Sequence, residues 1–450
     1  IFQTSAVTVT ESPDFRHPNI TAAALQLGTG VLTLTADETL DVTPKDLVDL
    51  SKIWIENVTG DSKISLAGAE INAVDALGVT IHLTEGQRVL AIESSNTPGG
   101  DGGVTEIAVS IGFVQDIGTN LNMYRNGLIV SETPDTIRPT IQSIEIDFNE
   151  GLINITSSET IDSTPTSKVN LSALFIGHVL YSKEVPLFGA DVTISSDRAS
   201  VYIQMTETQR ANALRISGVP GGDNSSVVLQ GDAHAVRDIA GNTNPFLHGG
   251  LTAFEIADTS QPFAVSAEIF YGTGILKLTA NETLDLSSSD DRVQLEHFFL
   301  AASVNTFDIP LTGSQSLPLG FHSQLQHASV SSGDSLVMTI TLTESQRVAA
   351  LLTSGTQGGD GSTVFFHVKS GGYIDVGQNN NTADLAINIT EHADGIKPYI
   401  LSAHIDLDIG QIVVEVSETL DLTPSINSLD LNQIMLGNGS NTTGDYVSLD

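Results

Sequence analysis

No cysteine occurs anywhere in the 450 residues, which excludes disulfides, thiolate metal sites and a cysteine nucleophile. Positive charge is scarce. The 18 Lys and Arg stand against 54 Asp and Glu, a formal net charge of −36. Such a polyanion gains nothing by displacing counterions from phosphates and is repelled by anionic lipid, so neither nucleic acid nor a membrane surface is its expected partner. No apolar run approaches the ~20 residues that cross a bilayer, and no charged-then-apolar leader opens the chain. Aromatics make up only 5% of the residues. What is present is enough to fold: 40% of residues are hydrophobic and only 16% charged, which supports packed cores. At roughly 150 residues per domain, the length suggests about three domains.

The chain repeats itself. Glu38-Thr39-Leu40-Asp41 returns as Glu159-Thr160-Ile161-Asp162, Glu282-Thr283-Leu284-Asp285 and Glu418-Thr419-Leu420-Asp421, at spacings of 121, 123 and 136. Pro18, Pro139, Pro262 and Pro398 keep the same intervals. A third marker, Thr84-Glu85-Gly86-Gln87-Arg88, recurs at Thr206 to Arg210 and at Thr343 to Arg347, and a fourth, Gly99-Gly100-Asp101, at Gly221 and Gly358. The longer last interval places an insertion near 315–334, with Phe321, His322 and Leu325, readable as a contact loop or as a tolerated surface insertion. A fixed period of this size means several copies of one unit rather than one large domain.

Within a copy, Leu32 and Leu34, Ile153 and Ile155, Leu276 and Leu278, and Ile412 and Val414 alternate with mostly polar neighbours, as a strand with one buried face does. Seven to nine such strands per unit fit a β-sandwich. Thr84-x-x-Gln87 and its two counterparts have the form of a capping box and predict one short helix per copy, with Arg88, Arg210 and Arg347 on its solvated outer face. The Gly-Gly-Asp stretches lack the Lys-Ser/Thr of a phosphate loop and read as turns. Asp238-Ile239-Ala240-Gly241-Asn242 reads as a tight turn in which the Asp accepts backbone N–H groups and Gly supplies positive φ.

The order over 139–259, namely Pro, two strands, Ser-Glu-Thr-Ile-Asp, strand, short helix, Asp-Ile-Ala-Gly-Asn, strand, Asp-Thr, resembles the bacterial Ig-like repeats of S-layer and adhesin proteins. In that family a turn carrying the Glu and Asp follows the second strand, and a D-x-x-G-N turn precedes the last. The first and third copies depart from it, reading Asp116-Ile117-Gly118-Thr119-Asn120 and Asp375-Val376-Gly377-Gln378-Asn379. The expectation is an all-β chain of tandem Ig-like β-sandwich repeats of about 120–136 residues, each with one short helix. Its divisions are 1–16, the last strand of a preceding truncated repeat; 17–137, 138–260 and 261–396, three full repeats; and 397–450, the first half of a fourth. The roles implied by the resemblance are architectural: spacing, adhesion, and lattice or filament formation.

Two kinds of site chemistry stand out. Acidic residues gather where repeats join, and Asp14, Asp135, Asp258 and Asp394 are candidate calcium ligands there, with oxygens added by the Glu38 and Asp41 type of pair. No D-x-D-x-D-G loop accompanies them, and solvated surface carboxylates are the alternative. Acceptors for N-linked glycans fall at Asn19, Asn57, Asn154, Asn170, Asn224, Asn281, Asn380, Asn388, Asn438 and Asn441, where the composition predicts about five. Asn154 is expected at an outward strand position. No cofactor other than calcium is indicated. The histidines, His17, His82, His178, His234 and His322 among them, are scattered, and neither H-E-x-x-H nor G-x-S-x-G occurs, so no enzyme is read. The leading function is a structural segment of an extracellular, glycosylated filament, appendage or surface coat, whose partners are copies of itself. The alternative is an adhesin stalk or a module that binds a glycan or cell-surface ligand.

Overall fold

The computed structural model describes residues 8–58, 62–179, 181–193, 196–219, 221–222, 225–287, 292–312, 328–422, 429–437 and 446–449. The chain divides into two units, Ile1–Asp258 and Thr259–Asp450. Both are built from tandem all-β sandwiches of Ig-like type, each complete one carrying a single α-helix.

In the first sandwich, Ile20–Gln26 and Val31–Asp41 form a hairpin, and Ala76–His82 extends it on the far side. The second layer is Lys63–Ser65, Ile53–Asn57 and Thr105–Val109. The closing strand Arg125–Thr133 joins the layers, running parallel to Ile20–Gln26 and antiparallel to Thr105–Val109. Alternation decides which side chains go inside. Leu32, Leu34, Ile53, Ile55, Ile81 and Ile107 are fully buried between the layers, while Thr33 and Thr35 face water.

The second sandwich repeats the plan with two separate sheets. One holds Ile141–Asp147, Leu152–Ile161 and Arg198–Gln204; the other holds Leu174–Gly177 and Val228–Gly231. In the second unit, Ala264–Phe270, Ile275–Leu284 and Ser335–Thr341 face Phe298–Ala301 and Phe365–Val368, followed by the hairpin of Ile400–Asp406 and Gln411–Val416. The first strand of every copy carries the same register shift, at Ile20/Ala22, Ile141/Ser143, Ala264/Ser266 and Ile400/Ser402.

One expected turn is a strand. Glu38 to Asp41 lie inside Val31–Asp41, and a register shift between Thr35 and Leu40 re-pairs Leu40 with Ala76 and Asp116. The reason is that apolar side chains remain available for the core on both sides of the shift, at Leu34, Ala36 and Leu40, so a bulge satisfies the sequence without breaking the strand. The helices α1 (Glu85–Glu93), α2 (Glu207–Arg215) and α3 (Glu344–Thr353) each carry a complete capping box. The box Gln does more than cap. Gln87 Nε2 donates to the carbonyls of Ser65 and Ala67, and Gln209 Nε2 to those of Pro186 and Phe188, so the helix start is pinned to the turn after a second-layer strand.

That turn locates the insertion. Ala69 and Ala190 donate to Leu66 and Leu187, three residues back, whereas the corresponding bond in the third copy runs from Ala328 to Leu311. Asp334 belongs to the common frame, since the Leu286 amide bonds its side chain as the Val42 amide bonds Asp75 and the Ser163 amide bonds Asp197. The extra residues therefore fall between Leu311 and Ala328, and Phe321, His322 and Leu325 lie outside the described residues.

The Gly-Gly-Asp stretches are turns, and their second glycine is obligatory. A β-carbon on Gly100 would fall onto the Ser95 carbonyl oxygen, and one on Gly222 onto that of Ser217. Gly86, in the first turn of α1, has open space around its Cα. Two alanine substitutions should therefore move stability in opposite directions, read by urea denaturation. Gly100→Ala should lose about 3 kcal/mol, and Gly86→Ala should gain about 0.5–1 kcal/mol from helix propensity.

The D-x-x-G-N turn also behaves as expected in the second sandwich. Asp238 Oδ1 accepts the Asn242 amide, its Oδ2 accepts Asn242 Nδ2, and Gly241 has φ +91°. In the first and third copies the left-handed position falls instead on Thr119 and Gln378, both at +69°. A β-branched residue there is strained. Thr119→Asn should stabilise the first sandwich by about 0.5–1 kcal/mol, visible as a raised Tm.

Candidate functional site: a buried arginine at the junction of two sandwiches

Capping fixes the axial position of α1 and so the direction of Arg88, which lies one turn in. Arg88 does not solvate an outer face; it is 5% exposed. Its Nε and Nη2 take both oxygens of Glu85 at 2.7 and 2.8 Å. Nη1 donates to Asp135 Oδ2 of the linker at 2.7 Å and to the Leu27 carbonyl at 3.3 Å. Nη2 also reaches Glu159 Oε2 of the second sandwich at 2.9 Å. A guanidinium with five donors can satisfy such a set, and this compensates its burial. Glu85 completes the link, for its Oε1 accepts the Thr160 amide at 2.9 Å.

The same construction recurs. Arg210 bonds Glu207, Asp258 and the Phe148 carbonyl. Within the second unit Arg347 bonds Glu344, Asp394, the Tyr271 carbonyl and Glu418, and Glu344 accepts the Thr419 amide. Apolar contact seals the junction in the first unit: Ala240 is buried in the core of the first sandwich, and Ile239 packs against it. The linker is held as well, since Asp135 Oδ1 accepts the Ile137 amide and Asn242 Nδ2 donates to the Asp135 carbonyl.

Charge at the junction is not balanced. Asp135, Glu159 and Asp238 are all buried and offer oxygens within 4.8 Å of one another. With Glu85 they set four carboxylates against one guanidinium. Burial, reinforced by the charges of Asp238 and Asp135, pushes the Glu159 carboxyl up to about 7 despite Arg88. Burial likewise raises Asp238. Glu85 goes the other way; against the burial that would raise it, hydrogen bonds from Arg88 and the Thr160 amide hold it below the ordinary range. Glu159 Oε1 is buried without a hydrogen-bond partner. The first sandwich presents the corresponding triad in Asp14, Glu38 and Asp116, more open because Asp14 is exposed, with Glu38 Oε1 accepting no hydrogen bond and facing Arg16 Nε at 4.0 Å. An all-oxygen donor set with surplus negative charge and an unsatisfied buried oxygen fits a hard divalent cation.

Of the four candidate calcium ligands, Asp14 and Asp135 thus enter triads. Asp258 is bonded by Arg210. Asp394 is bonded by Arg347 and the Ile396 amide, and joins no acidic triad among the described residues. The expected help from the Asp41 position does not come, because that side chain serves its own sandwich, with Asp41 bonded by Gln115 and Asp162 by Lys168 and Arg237. Asp116 and Asp238 take its place. Their approach to the triads was not legible because the same carboxylates also bond the turns that end at Asn120 and Asn242.

Among the glycan acceptors, Asn170, Asn281, Asn380 and Asn388 are exposed and Asn19 is half-buried. Asn57 is buried, bonded to Asp101 and to the Ser62 amide, so a glycan there requires that turn to open. Asn154 lies between Ile153 and Ile155 on the opposite face, yet it is half-buried and its Oδ1 is inaccessible. Asn224, Asn438 and Asn441 lie outside the described residues.

No family model and no curated protein matches this chain in sequence. Solved structures give weak likenesses. The N-terminal part of the bacterial S-layer protein SbsC is 10% identical with a TM-score of 0.20, covering 53% of this chain and 44% of that one. Domains 1–6 of SbsC are 11% identical at 0.19, covering 97% and 63%, and the four N-terminal Ig domains of Dscam1 are 8% identical at 0.15, covering 90% and 84%. The chain thus spans about half to two thirds of the SbsC structures it matches, and likenesses of this strength bear on neither its family nor its function. No described helix is long and apolar enough to cross a membrane.

Proposed function

We propose that this chain is a load-bearing segment of an extracellular surface coat or filament, in which successive sandwiches are held at fixed mutual positions and copies of the chain assemble side by side or end to end. The observation that carries the reading is the Arg88 junction: one buried cation tied to its own helix, to the linker and to the next sandwich, and rebuilt at Arg347. A linker alone would tether; this arrangement fixes orientation. The reading includes Ca²⁺ bound by Asp135, Glu159 and Asp238, where its charge offsets the carboxylate surplus, and glycans on exposed acceptors, which with the strong negative charge keep the exterior soluble. Negative-stain imaging of the purified chain with and without Ca²⁺ tests the assembly. Ordered sheets or fibres are expected; single particles under all conditions, with a ligand captured by one sandwich, would favour the adhesin reading instead.

A further inference from the structure

In the second sandwich, Phe188-Gly189-Ala190-Asp191, in the turn that follows Leu187, and Thr166, Ser167 and Asn170 opposite wall an open groove of about 420 Å³. This is the turn where the copies diverge: it reads Leu66-Ala67-Gly68-Ala69 in the first sandwich and takes the extra residues of the third. Phe188 is 74% exposed, and its backbone is held in place by Gln209 Nε2 at 3.0 Å. Across the groove stands Asn170. Its Oδ1 accepts the Ser172 amide at 3.2 Å, while its Nδ2 has no hydrogen-bond partner among the described residues. The corresponding residue is Asp49 in the first copy, Gln294 in the third and Asp430 in the fourth. Only the second copy has Asn-Leu-Ser at this place, and its four-residue turn carries Phe188 where the first copy has Ala67. The two differences meet in one groove.

We propose that Asn170 carries an N-linked glycan whose core sugar lies in this groove against the face of Phe188. Attachment uses Nδ2, so the bond from Oδ1 to the Ser172 amide survives it. The apolar face of a pyranose covers the otherwise bare ring, and its hydroxyls meet the side chains of Ser167 and Asp191 on the walls. The inference rests on the reading of the chain as a surface glycoprotein.

The test expresses the full chain in a glycosylating eukaryotic host, maps occupancy by glycopeptide mass, and follows endoglycosidase trimming of the native protein site by site. Asn170 should be occupied and trimmed about fivefold or more slowly than Asn281 and Asn388, the factor an aromatic contact corresponds to. Phe188→Ala, a substitution at an exposed position, should bring Asn170 to the rate of the others. An unoccupied Asn170 beside an occupied Asn281 or Asn388 overturns this inference and leaves the glycoprotein reading standing, whereas no glycan at any acceptor overturns both. Equal trimming rates, or a slow rate unchanged in Phe188→Ala, also overturn it.

Discussion

Replacing Arg88 with alanine should destabilise the first unit by about 3–5 kcal/mol, because it strands Asp135 and Glu159, both buried, without their counter-charge. The loss exceeds that of an exposed helix pair, which is worth well under 1 kcal/mol, since Glu85 is only one of the three carboxylates involved. Arg88→Lys should recover less than half. A single ammonium cannot hold Glu85 through two parallel bonds while also reaching the linker and the next sandwich. Urea denaturation measures the cost, and small-angle scattering of the variant should show a broader spread of distances as the two sandwiches of that unit part. A loss under 1 kcal/mol would remove the clamp from the account.

Calcium should raise the melting temperature of the wild-type chain, by a free energy of about 2.7 kcal/mol at a concentration a hundred times its Kd. Glu159→Gln and Asp238→Asn each remove a charged donor while keeping the shape, and either should weaken calcium binding at least tenfold by titration calorimetry. Magnesium should substitute poorly, because it demands a small octahedral shell and keeps its water. If calorimetry shows no heat of binding and the melting curve ignores calcium, the triad is simply a strained cluster of carboxylates. In that case Glu159→Gln, which keeps an oxygen for Arg88 Nη2, should cost little because it also relieves repulsion, whereas Asp238→Asn should destabilise the turn by setting an amide NH2 against an Asn242 donor.

The repeating sandwich was legible because it rests on local chemistry at fixed positions. The capping Thr and Gln, the obligatory Gly100 type and the Asp238 turn recur in register, and alternation at Leu32 and Leu34 gives the buried face. The junction was not legible for the same reason in reverse. Asp135 and Glu159 lie 47 and 71 residues from Arg88, and nothing local announces that they converge on it. A signal was nonetheless present. Position 86 varies as Gly, Thr and Ser among the three helices, while the Arg and the Glu three residues before it never change, which a merely solvated side chain has no reason to do. The bulge hidden in Glu38 to Asp41 has a similar cause, for bulge and turn use the same residues and only the paired strand distinguishes them.

The two ends of a sandwich are chemically unlike. One end offers a helix with its arginine; the other offers a glutamate, an exposed threonine and an acidic turn, as Glu38, Thr39 and Asp116 do on the first sandwich, where Ile117 stands 58% exposed at the place that Ile239 fills on the second. Joining two arginine ends would leave each guanidinium without the glutamate of the next sandwich, and joining two acidic ends would set carboxylates against one another. The contact therefore has polarity: in the proposed assembly, copies that stacked through it would join head to tail, and the result would have a distinguishable front and back.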